Sequence, residues 1–417
     1  MTRIDTVGAL ESSVRSAIAS ATISDIHTHL FPPSHGNLLL WGVDELLTYH
    51  YLVAELFTLA PRELSYERFW AMPKAAQADM IWEHVFLRGG ALSEAARGVL
   101  TALNKLGLDM GKRDLAQARR YFAGRDVDEH LQTVLDLANI DYAVMTNNPF
   151  NPAEAGYFQR GLPIPERLKT ALRIDPLLVD WPSAVAVMSA GGYDVKLAPD
   201  AKSFSEVRRF LIDWSRRMRP VYFAASLEND FLYPQESLQA QVIEKALVPA
   251  AMEVGCPVAL MIGVRRNLNP GLIDGGAGVG VADVSAVTSL CSRFPQAKFL
   301  VTLLARVNQH ELAVAARKFS NLHIFGCWWF CNTPSIIDEM TRQRIELLGT
   351  AFTAQHSDAR VLDQLLYKWS HTRAVMAEVL VDKYRDLWQT SWRPTPEEIQ
   401  RDARALLGGS FAAFLAK

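Results

Sequence analysis

The run Ser24-Asp25-Ile26-His27-Thr28-His29-Leu30-Phe31 decides the fold, because it combines a β-type pattern with two histidines two residues apart. Side chains alternate along a strand, so His27 and His29 point to the same side. The following Pro32-Pro33 ends the strand close to the second histidine. Neutral imidazole is the commonest metal ligand in proteins. The run therefore predicts half of a divalent-metal site at the carboxyl end of a first strand.

Composition and charge indicate an ordinary globular chain. It has 417 residues, of which 49% are hydrophobic and 21% charged, with a formal net charge of -2. The near-neutral charge gives no signal for nucleic-acid or membrane binding, and the longest apolar region, 246–264, is interrupted by Glu253 and Gly255. The first twenty residues lack an apolar signal core, and the four scattered cysteines are typical of reduced thiols. We expect a cytoplasmic protein.

Short apolar runs alternate with helical patterns along most of the chain, although the link between the second and third runs looks irregular. The eight runs span residues 24–31, 141–149, 171–176, 221–227, 257–263, 298–304, 322–329 and 350–357. Apolar strands that alternate with helices are typical of a parallel sheet buried on both faces. Eight such units predict an α/β chain with a (β/α)₈ TIM barrel. A doubly wound open sheet is the alternative, but polar residues recur at the strand ends, where barrels carry their active sites.

Residues 62–123 differ from this alternation, because every periodic pattern in them is helical. We therefore expect residues 1–417 to form a single barrel domain with an N-proximal, all-helical insertion at 62–123. Helices are expected at about 68–86, 92–106 and 114–122 within it.

The eighth run ends in His356-Ser357-Asp358-Ala359-Arg360. The first and eighth strands of a barrel are neighbours, so Asp358 is expected to face the two histidines. Two histidines and a carboxylate can hold one divalent ion and leave positions open for substrate. Considered singly, the histidine pair could serve internal hydrogen bonds, and Asp358 could cap the next helix. Together they favour a metal site, and Arg360 could bind a carboxylate or an oxyanion beside it.

Other conspicuous residues are assigned smaller roles. Gly276-Ala277-Gly278-Val279-Gly280 lacks the spacing of a dinucleotide-binding loop and predicts a mobile loop over the barrel mouth. Alternation along a strand predicts that only one of Trp328 and Trp329 points inward. Lys196 precedes the fourth run and His310 starts a helix, so a second metal is not expected.

Several stretches together resemble the uronate isomerase (glucuronate isomerase) family of the amidohydrolase superfamily, in its compact bacterial branch. The resemblance runs essentially from end to end, and the Trp-Trp-Phe run and the Asp-x-Arg ending are its most specific parts. The stretches are 25–31, 38–51, 145–150, 171–177, 308–312, 326–330 and 355–360.

The resemblance implies an intramolecular oxidoreductase that isomerises D-glucuronate to D-fructuronate and D-galacturonate to D-tagaturonate through a cis-enediol. It implies one metal, usually zinc, on His27, His29 and Asp358, with Asp358 also moving the proton between C2 and C1. It also implies roles in catalysis or substrate binding for the remaining site residues, namely His50, Tyr51, Arg173 and Arg360. Which arginine holds the substrate carboxylate is open at this point.

The partner expected from the resemblance is a small hexuronate, with no nucleic acid and no membrane, and a homo-oligomer is left open. A mononuclear metal-dependent hydrolase or deaminase on the same barrel is the alternative activity, since a metal can also activate water. A catalytically inactive sugar-binding barrel is disfavoured, because the ligand set is complete. The preferred hexuronate and the native metal are not decided by the sequence.

Overall fold

The computed structural model describes residues 3–417. Its strands alternate with α-helices, except that only a 3₁₀ segment separates β5 from β6. The strands are β1 Ile23–Thr28, β2 Ile140–Asn147, β3 Leu168–Arg173, β4 Phe223–Glu228, β5 Val258–Arg265, β6 Gly278–Val279, β7 Phe299–Leu303 and β8 Leu322–Ile324.

The α-helices cover the outside of the sheet and make up most of the segment before β2. They are α1 Val7–Ser20, α2 Val43–Leu47, α3 His50–Leu59, α4 Tyr66–Trp70, α5 Lys74–Ile81, α6 Glu94–Lys105, α7 Ala116–Ala123, α8 Val127–Leu137, α9 Pro152–Gln159, α10 Asp175–Val179, α11 Trp181–Ala190, α12 Ala201–Met218, α13 Leu238–Val242, α14 Val248–Val254, α15 Val284–Arg293, α16 Gln309–Ala316, α17 Pro334–Leu348, α18 Gln364–Gln389, α19 Pro396–Arg404 and α20 Ser410–Ala416. Short 3₁₀ segments are Pro33–Leu38, Met110–Lys112, Pro270–Gly276, Arg306–Asn308 and Trp329–Cys331, and π segments are Trp82–Arg88, Ile243–Leu247 and Ala405–Gly409.

Seven strands form a parallel sheet in the order β1-β2-β3-β4-β5-β7-β8, and β6 pairs antiparallel with β5. A contact across the sheet shows that it curls. The hydroxyl of Tyr222, next to β4, donates a hydrogen bond of 2.7 Å to the carbonyl of Ile26 in β1, although β1 and β4 are not adjacent in the sheet. Mixed α/β architecture with a curled parallel sheet was therefore predicted correctly. The positions of seven of the eight apolar runs as strands are also confirmed.

The eighth run is extended but is not a regular strand. Thr353 pairs with Phe325 through a single parallel bridge, and the amide of Asp358 donates to the carbonyl of His27 at 3.1 Å. This extended segment therefore forms backbone hydrogen bonds to β8 on one side and to β1 on the other. The side-chain oxygen of Gln355 accepts from the amides of Cys327 and His356, so a side chain replaces part of the backbone ladder. This substitution explains the departure from a regular strand.

The link between the second and third runs was wrongly predicted to be irregular, because it contains the helix α9. Its start has a local cause. The side chain of Asn151 accepts the amide of Ala153 at 3.0 Å, and Pro152 stands in the first turn, where its missing N–H costs nothing. Within 62–123, the described elements are all helical, in agreement with the sequence pattern.

Alternate residues of the strands contribute to two separate cores, as a period of two requires. One set packs against the surrounding helices, and Phe223 and Leu260 are examples. The other set faces the inside of the curl, where Phe411 and Phe414 of α20 join it. The C-terminal helix therefore covers the inner core near the amino-terminal ends of β4, β7 and β8. Among the described residues, no helix is both long and apolar enough to cross a membrane.

Candidate metal centre

His27 lies near the carboxyl end of β1 and His29 directly follows the strand, and both side chains point towards Asp358, as their spacing predicted. Their Nε2 atoms lie 3.5 and 3.2 Å from Oδ1 of Asp358. One ligand atom from each of the three side chains lies within 4.8 Å of the others. The predicted meeting of the first strand with the end of the eighth run is confirmed by these distances.

Backbone and side-chain contacts hold Asp358 in place. It has a φ of 55°, in the left-handed region that Asp and Asn tolerate better than most residues. The preceding Ser357 donates its amide to Oδ1 of Asp25 at 3.0 Å, and Trp369 donates its indole N–H to Oδ2 at 2.8 Å. The fully buried Asp25 of β1 therefore clamps the turn that presents Asp358.

Two hydroxyl side chains that the sequence did not single out contact the histidines. Nδ1 of His27 lies 3.1 Å from the hydroxyl of Tyr222. Nδ1 of His29 lies 3.0 Å from the hydroxyl of Thr146, at the end of β2. Neither contact could be read from local spacing, because both partners belong to distant parts of the chain.

The donor set fits a divalent cation. Nε2 of His27 and Oδ1 of Asp358 are buried, and neither has a hydrogen-bond partner within residues 3–417. Burial and the charge of Arg360 outweigh the opposing effect of Asp358 and lower the pKa of His29 to about 4, which favours neutral imidazole. Burial acts to raise the pKa of Asp358, but the adjacent His27 and His29 outweigh it and lower that pKa well below its usual value. Two imidazoles and an ionised carboxylate that converge on one point are a suitable site for zinc.

A cavity of about 240 Å³ opens in front of this cluster. His29 and Asp358 line it on one side, and three guanidinium groups line it elsewhere. The arginines are Arg173, Arg266 and Arg360. Sequence reasoning had identified Arg173 and Arg360 but had passed over Arg266, whose run carries no motif. Guanidinium groups that line a cavity can bind an anionic ligand through their N–H donors.

Each of the three arginines also has a carboxylate partner. Arg173 binds Asp175 through two N–H groups, Nε at 3.0 Å and Nη2 at 2.9 Å. Arg266 lies 3.2 Å from a carboxylate oxygen of Glu228. Arg360 donates from Nη1 to Asp274 at 2.9 Å, and Asp274 belongs to the loop after β5.

His50 lines the cavity together with Tyr49, whereas Tyr51 packs against both of their rings and is not among the lining residues that the structure describes. Burial and the charge of Arg360 lower the pKa of His50 to about 3, so its imidazole is neutral. Its Nε2 is buried without a hydrogen-bond partner in the described chain. A neutral imidazole with a free ring nitrogen can exchange a hydrogen bond with a sugar hydroxyl.

Both Trp328 and Trp329 line the cavity, so the prediction that only one of them points inward was wrong. The strand rule ends before them, because β8 stops at Ile324. Gly326 has a φ of 67° and Trp329 one of 48°, and these values turn the chain around the cavity. Gly326 also needs to be glycine, since an added Cβ would lie 1.9 Å from the ring of His356.

The loop 276–280 reaches the cavity through Ala277, and Ile273 and Asp274 in the segment before it also line the cavity. The loop contains β6 and follows the 3₁₀ segment Pro270–Gly276. Its mobility stays a prediction. Lys196 binds Asp200 in an exposed pair outside the cavity, and the described chain offers no second cluster of three metal-ligating side chains.

One of three comparisons with known proteins identifies relatives of this chain. No family model and no curated protein sequence matches the chain. Among solved structures, a uronate isomerase from Bacillus halodurans has 48% sequence identity and a TM-score of 0.97, over 99% of this chain and 98% of that chain. The chain belongs to the uronate isomerase family. The resemblance drawn from the sequence is thereby confirmed.

More distant structures share the fold. A uronate isomerase from Thermotoga maritima has 13% identity and a TM-score of 0.80, over 97% of each chain. A glucuronate isomerase from Caulobacter crescentus has 14% identity and a TM-score of 0.76, over 98% of this chain and 94% of that chain. At these identities the likeness supports the fold alone.

Proposed function

We propose that this member of the family interconverts D-glucuronate with D-fructuronate, and D-galacturonate with D-tagaturonate. The observation that carries the proposal is the convergence of His27, His29 and Asp358 at one end of a cavity lined by arginines. An aldose–ketose isomerase needs a base beside C1 and C2, and cationic groups for the oxyanion and the carboxylate. Family membership and the cavity chemistry support the same assignment.

His27, His29 and Asp358 would hold one divalent ion, with zinc as the proposed metal. When bound, the ion supplies Lewis-acid stabilisation to sugar oxygens. Oδ1 of Asp358 faces the two imidazoles, which leaves Oδ2 for proton transfer. Asp358 accepts the proton from C2, and the C1 carbonyl oxygen gains a proton to give the cis-enediol. The C2 hydroxyl then loses its proton as Asp358 returns the first proton to C1, which leaves a ketone at C2. Both carbons lie one bond apart, so a single carboxylate serves both steps.

Arg360 is proposed to hold the substrate carboxylate. It uses Nη1 on Asp274, which leaves Nε and Nη2 as a planar pair that matches a carboxylate. Arg173 has its own Nε and Nη2 engaged by Asp175, so it contributes mainly positive charge near the developing oxyanion. His50 is proposed to bind a sugar hydroxyl. Tyr51 orients the His50 ring, from which its own ring centre lies 4.5 Å.

The finer architecture is part of the same proposal. We assign the curled sheet to the amidohydrolase-type (β/α)₈ barrel, with the segment 352–359 in the place of the eighth strand and residues 62–123 as an insertion. The hydrogen bonds from Thr353 and Asp358 to their neighbours support this assignment. Cytoplasmic location and the oligomeric state stay predictions.

The test is NMR of the purified protein with D-glucuronate in deuterated water. We expect D-fructuronate to form with solvent deuterium at the carbon that receives the proton, and we expect no bond hydrolysis. D-galacturonate is the second substrate to be measured. Release of a hydrolysis product from an ester or amide, with no isomerisation of either hexuronate, would favour the hydrolase alternative.

A further inference from the structure

Two hydroxyl groups behind the histidines share one arrangement. The hydroxyl of Tyr222 donates to the carbonyl of Ile26 at 2.7 Å and lies 3.1 Å from Nδ1 of His27. The hydroxyl of Thr146 donates to the carbonyl of Thr28 at 2.9 Å and lies 3.0 Å from Nδ1 of His29. In each case the carbonyl belongs to the residue immediately before the histidine. The backbone of β1 therefore sets the direction of both hydroxyl hydrogens.

This arrangement determines where each imidazole carries its proton. A hydroxyl has one hydrogen, and a backbone carbonyl takes it in both cases. Towards the imidazole each oxygen can then only accept, so Nδ1 must bear the hydrogen. A neutral imidazole with a hydrogen on Nδ1 has its lone pair on Nε2. The Nε2 atoms of His27 and His29 are the ones that face Asp358.

We propose that Tyr222 and Thr146 are positioning residues that fix His27 and His29 in the Nδ1–H form and so set the metal affinity of the site. The inference rests on the proposed metal centre and goes beyond it, because neither residue belongs to the ligand cluster or to the described lining of the cavity. Orienting contacts to ligating imidazoles typically change metal affinity by about 10- to 100-fold.

Burial makes these contacts decisive. Tyr222 is fully buried and Thr146 is 3% exposed, so solvent does not readily replace a missing hydroxyl. Without the Tyr222 hydroxyl, Nδ1 of His27 would be a buried donor with no acceptor, which is costly. The imidazole then gains by moving its hydrogen to Nε2, where Oδ1 of Asp358 lies 3.5 Å away. That hydrogen would occupy the direction in which the metal binds.

The experiment compares zinc affinity by chelator competition in the parent chain and in Tyr222→Phe, Thr146→Val and Thr146→Ser. The first two remove a hydroxyl with little change in shape, and Thr146→Ser keeps it. Matched controls are Thr170→Val and Tyr384→Phe, whose buried and partly buried hydroxyls bind Met218 and Asp402 away from the histidines. Nitrogen-15 NMR of labelled histidine in the zinc-free chain gives the tautomer directly.

We expect zinc affinity to fall about 10- to 100-fold in Tyr222→Phe and Thr146→Val, with Thr146→Ser and both controls within about threefold of the parent. NMR should show a hydrogen on Nε2 in the two weakened variants. Tight zinc binding by the parent with unchanged affinity in Thr146→Val and Tyr222→Phe overturns the inference and leaves the metal centre standing. A parent chain that binds no zinc overturns both. If Tyr222→Phe fails to fold, the comparison of Thr146→Val with Thr146→Ser decides.

Discussion

Oδ1 of Asp358 lies 3.2 Å from Nε2 of His29, so the last extended segment of the curled sheet meets the first strand at a pair of ligand atoms. The two side chains come from opposite ends of the chain. Their contact therefore depends on complete folding of the sheet. A metal bound there stabilises the folded chain, because the unfolded chain does not present the site.

The first prediction is one equivalent of zinc per chain. After reconstitution and removal of excess metal, elemental analysis should find one equivalent in the parent and well below one in His29→Gln, which loses a ligand nitrogen. His84→Gln is the control, because His84 lies outside the cluster, in the π segment Trp82–Arg88. Two equivalents in the parent, or full retention by His29→Gln, would contradict the assignment of the ligands.

The sequence was sufficient to predict that His27, His29 and Asp358 converge and where most strands lie, because both depend on the period of two along a strand and on strand order. His27 and His29 share a face through the period of two. The position of Asp358 beside the two histidines could be predicted because the first and last units of a closed sheet are neighbours.

The contacts that the sequence could not predict are those made across the sheet. Tyr222 reaches β1 from the far side of the curl, and Thr146 reaches it from the adjacent strand. Trp328 and Trp329 were misjudged because the chain leaves the strand before them, and alternation no longer applies. Arg266 was missed because only its contacts with Ser226 and Glu228 turn its side chain to the cavity wall.

The second prediction concerns the two arginines assigned to the substrate. Replacing Arg173 or Arg360 with Met keeps bulk and removes the charge. Charge-assisted contacts in such a site are worth roughly 2 to 4 kcal/mol, so kcat/KM should fall by about 30- to 1000-fold. Arg342→Met is the control, because Arg342 binds Asp338 and Asp382 away from the cavity. Unchanged kcat and KM at either position would remove that arginine from the site.

The third prediction concerns Asp274, which lies 2.9 Å from the arginine proposed to bind the substrate carboxylate. Asp274 places a negative charge beside the position proposed for the substrate carboxylate, so Asp274→Asn removes a repulsion and should lower KM. The side chain of Asp274 is 69% exposed, and such pairs contribute about 0–1 kcal/mol. The decrease in KM should therefore be at most about fivefold, with kcat nearly constant. Glu339→Gln, which disrupts an exposed pair with Arg306, is the control. An increase in KM for Asp274→Asn would show that Asp274 orients Arg360 instead.

The fourth prediction is a pH dependence of stability from Glu154. Burial raises the pKa of Glu154 to about 6 from an ordinary 4.5. Between these two values the folded chain binds more protons than the unfolded chain, so the free energy of unfolding falls as pH rises. The loss amounts to about 2 kcal/mol and is complete above the folded-state pKa. The Gln side chain in Glu154→Gln cannot ionise, so the free energy of unfolding of this variant should not show this decrease.

Urea unfolding of the parent and of Glu154→Gln at about pH 4 and pH 7 measures this effect. The free energy of unfolding of the variant, relative to that of the parent, should be about 2 kcal/mol higher at pH 7 than at pH 4. The amide oxygen of Gln can still accept the amide of Asn148, which the Glu154 carboxylate accepts at 2.7 Å. A constant difference across the range would show that Glu154 titrates alike in both states.

The last prediction isolates the base. Asn is nearly isosteric with Asp and tolerates the left-handed φ of 55° at position 358, so Asp358→Asn should fold normally. Its amide oxygen can still serve as a weak metal ligand, and partial zinc occupancy is expected. An amide does not accept a proton from carbon, so both isomerisation and exchange of the C2 proton with deuterated water should be lost. The two losses should be of similar size, because one proton transfer underlies both. Exchange at C2 near the parent rate would move the role of base to another group in the cavity, and His50 would then be the next residue to replace.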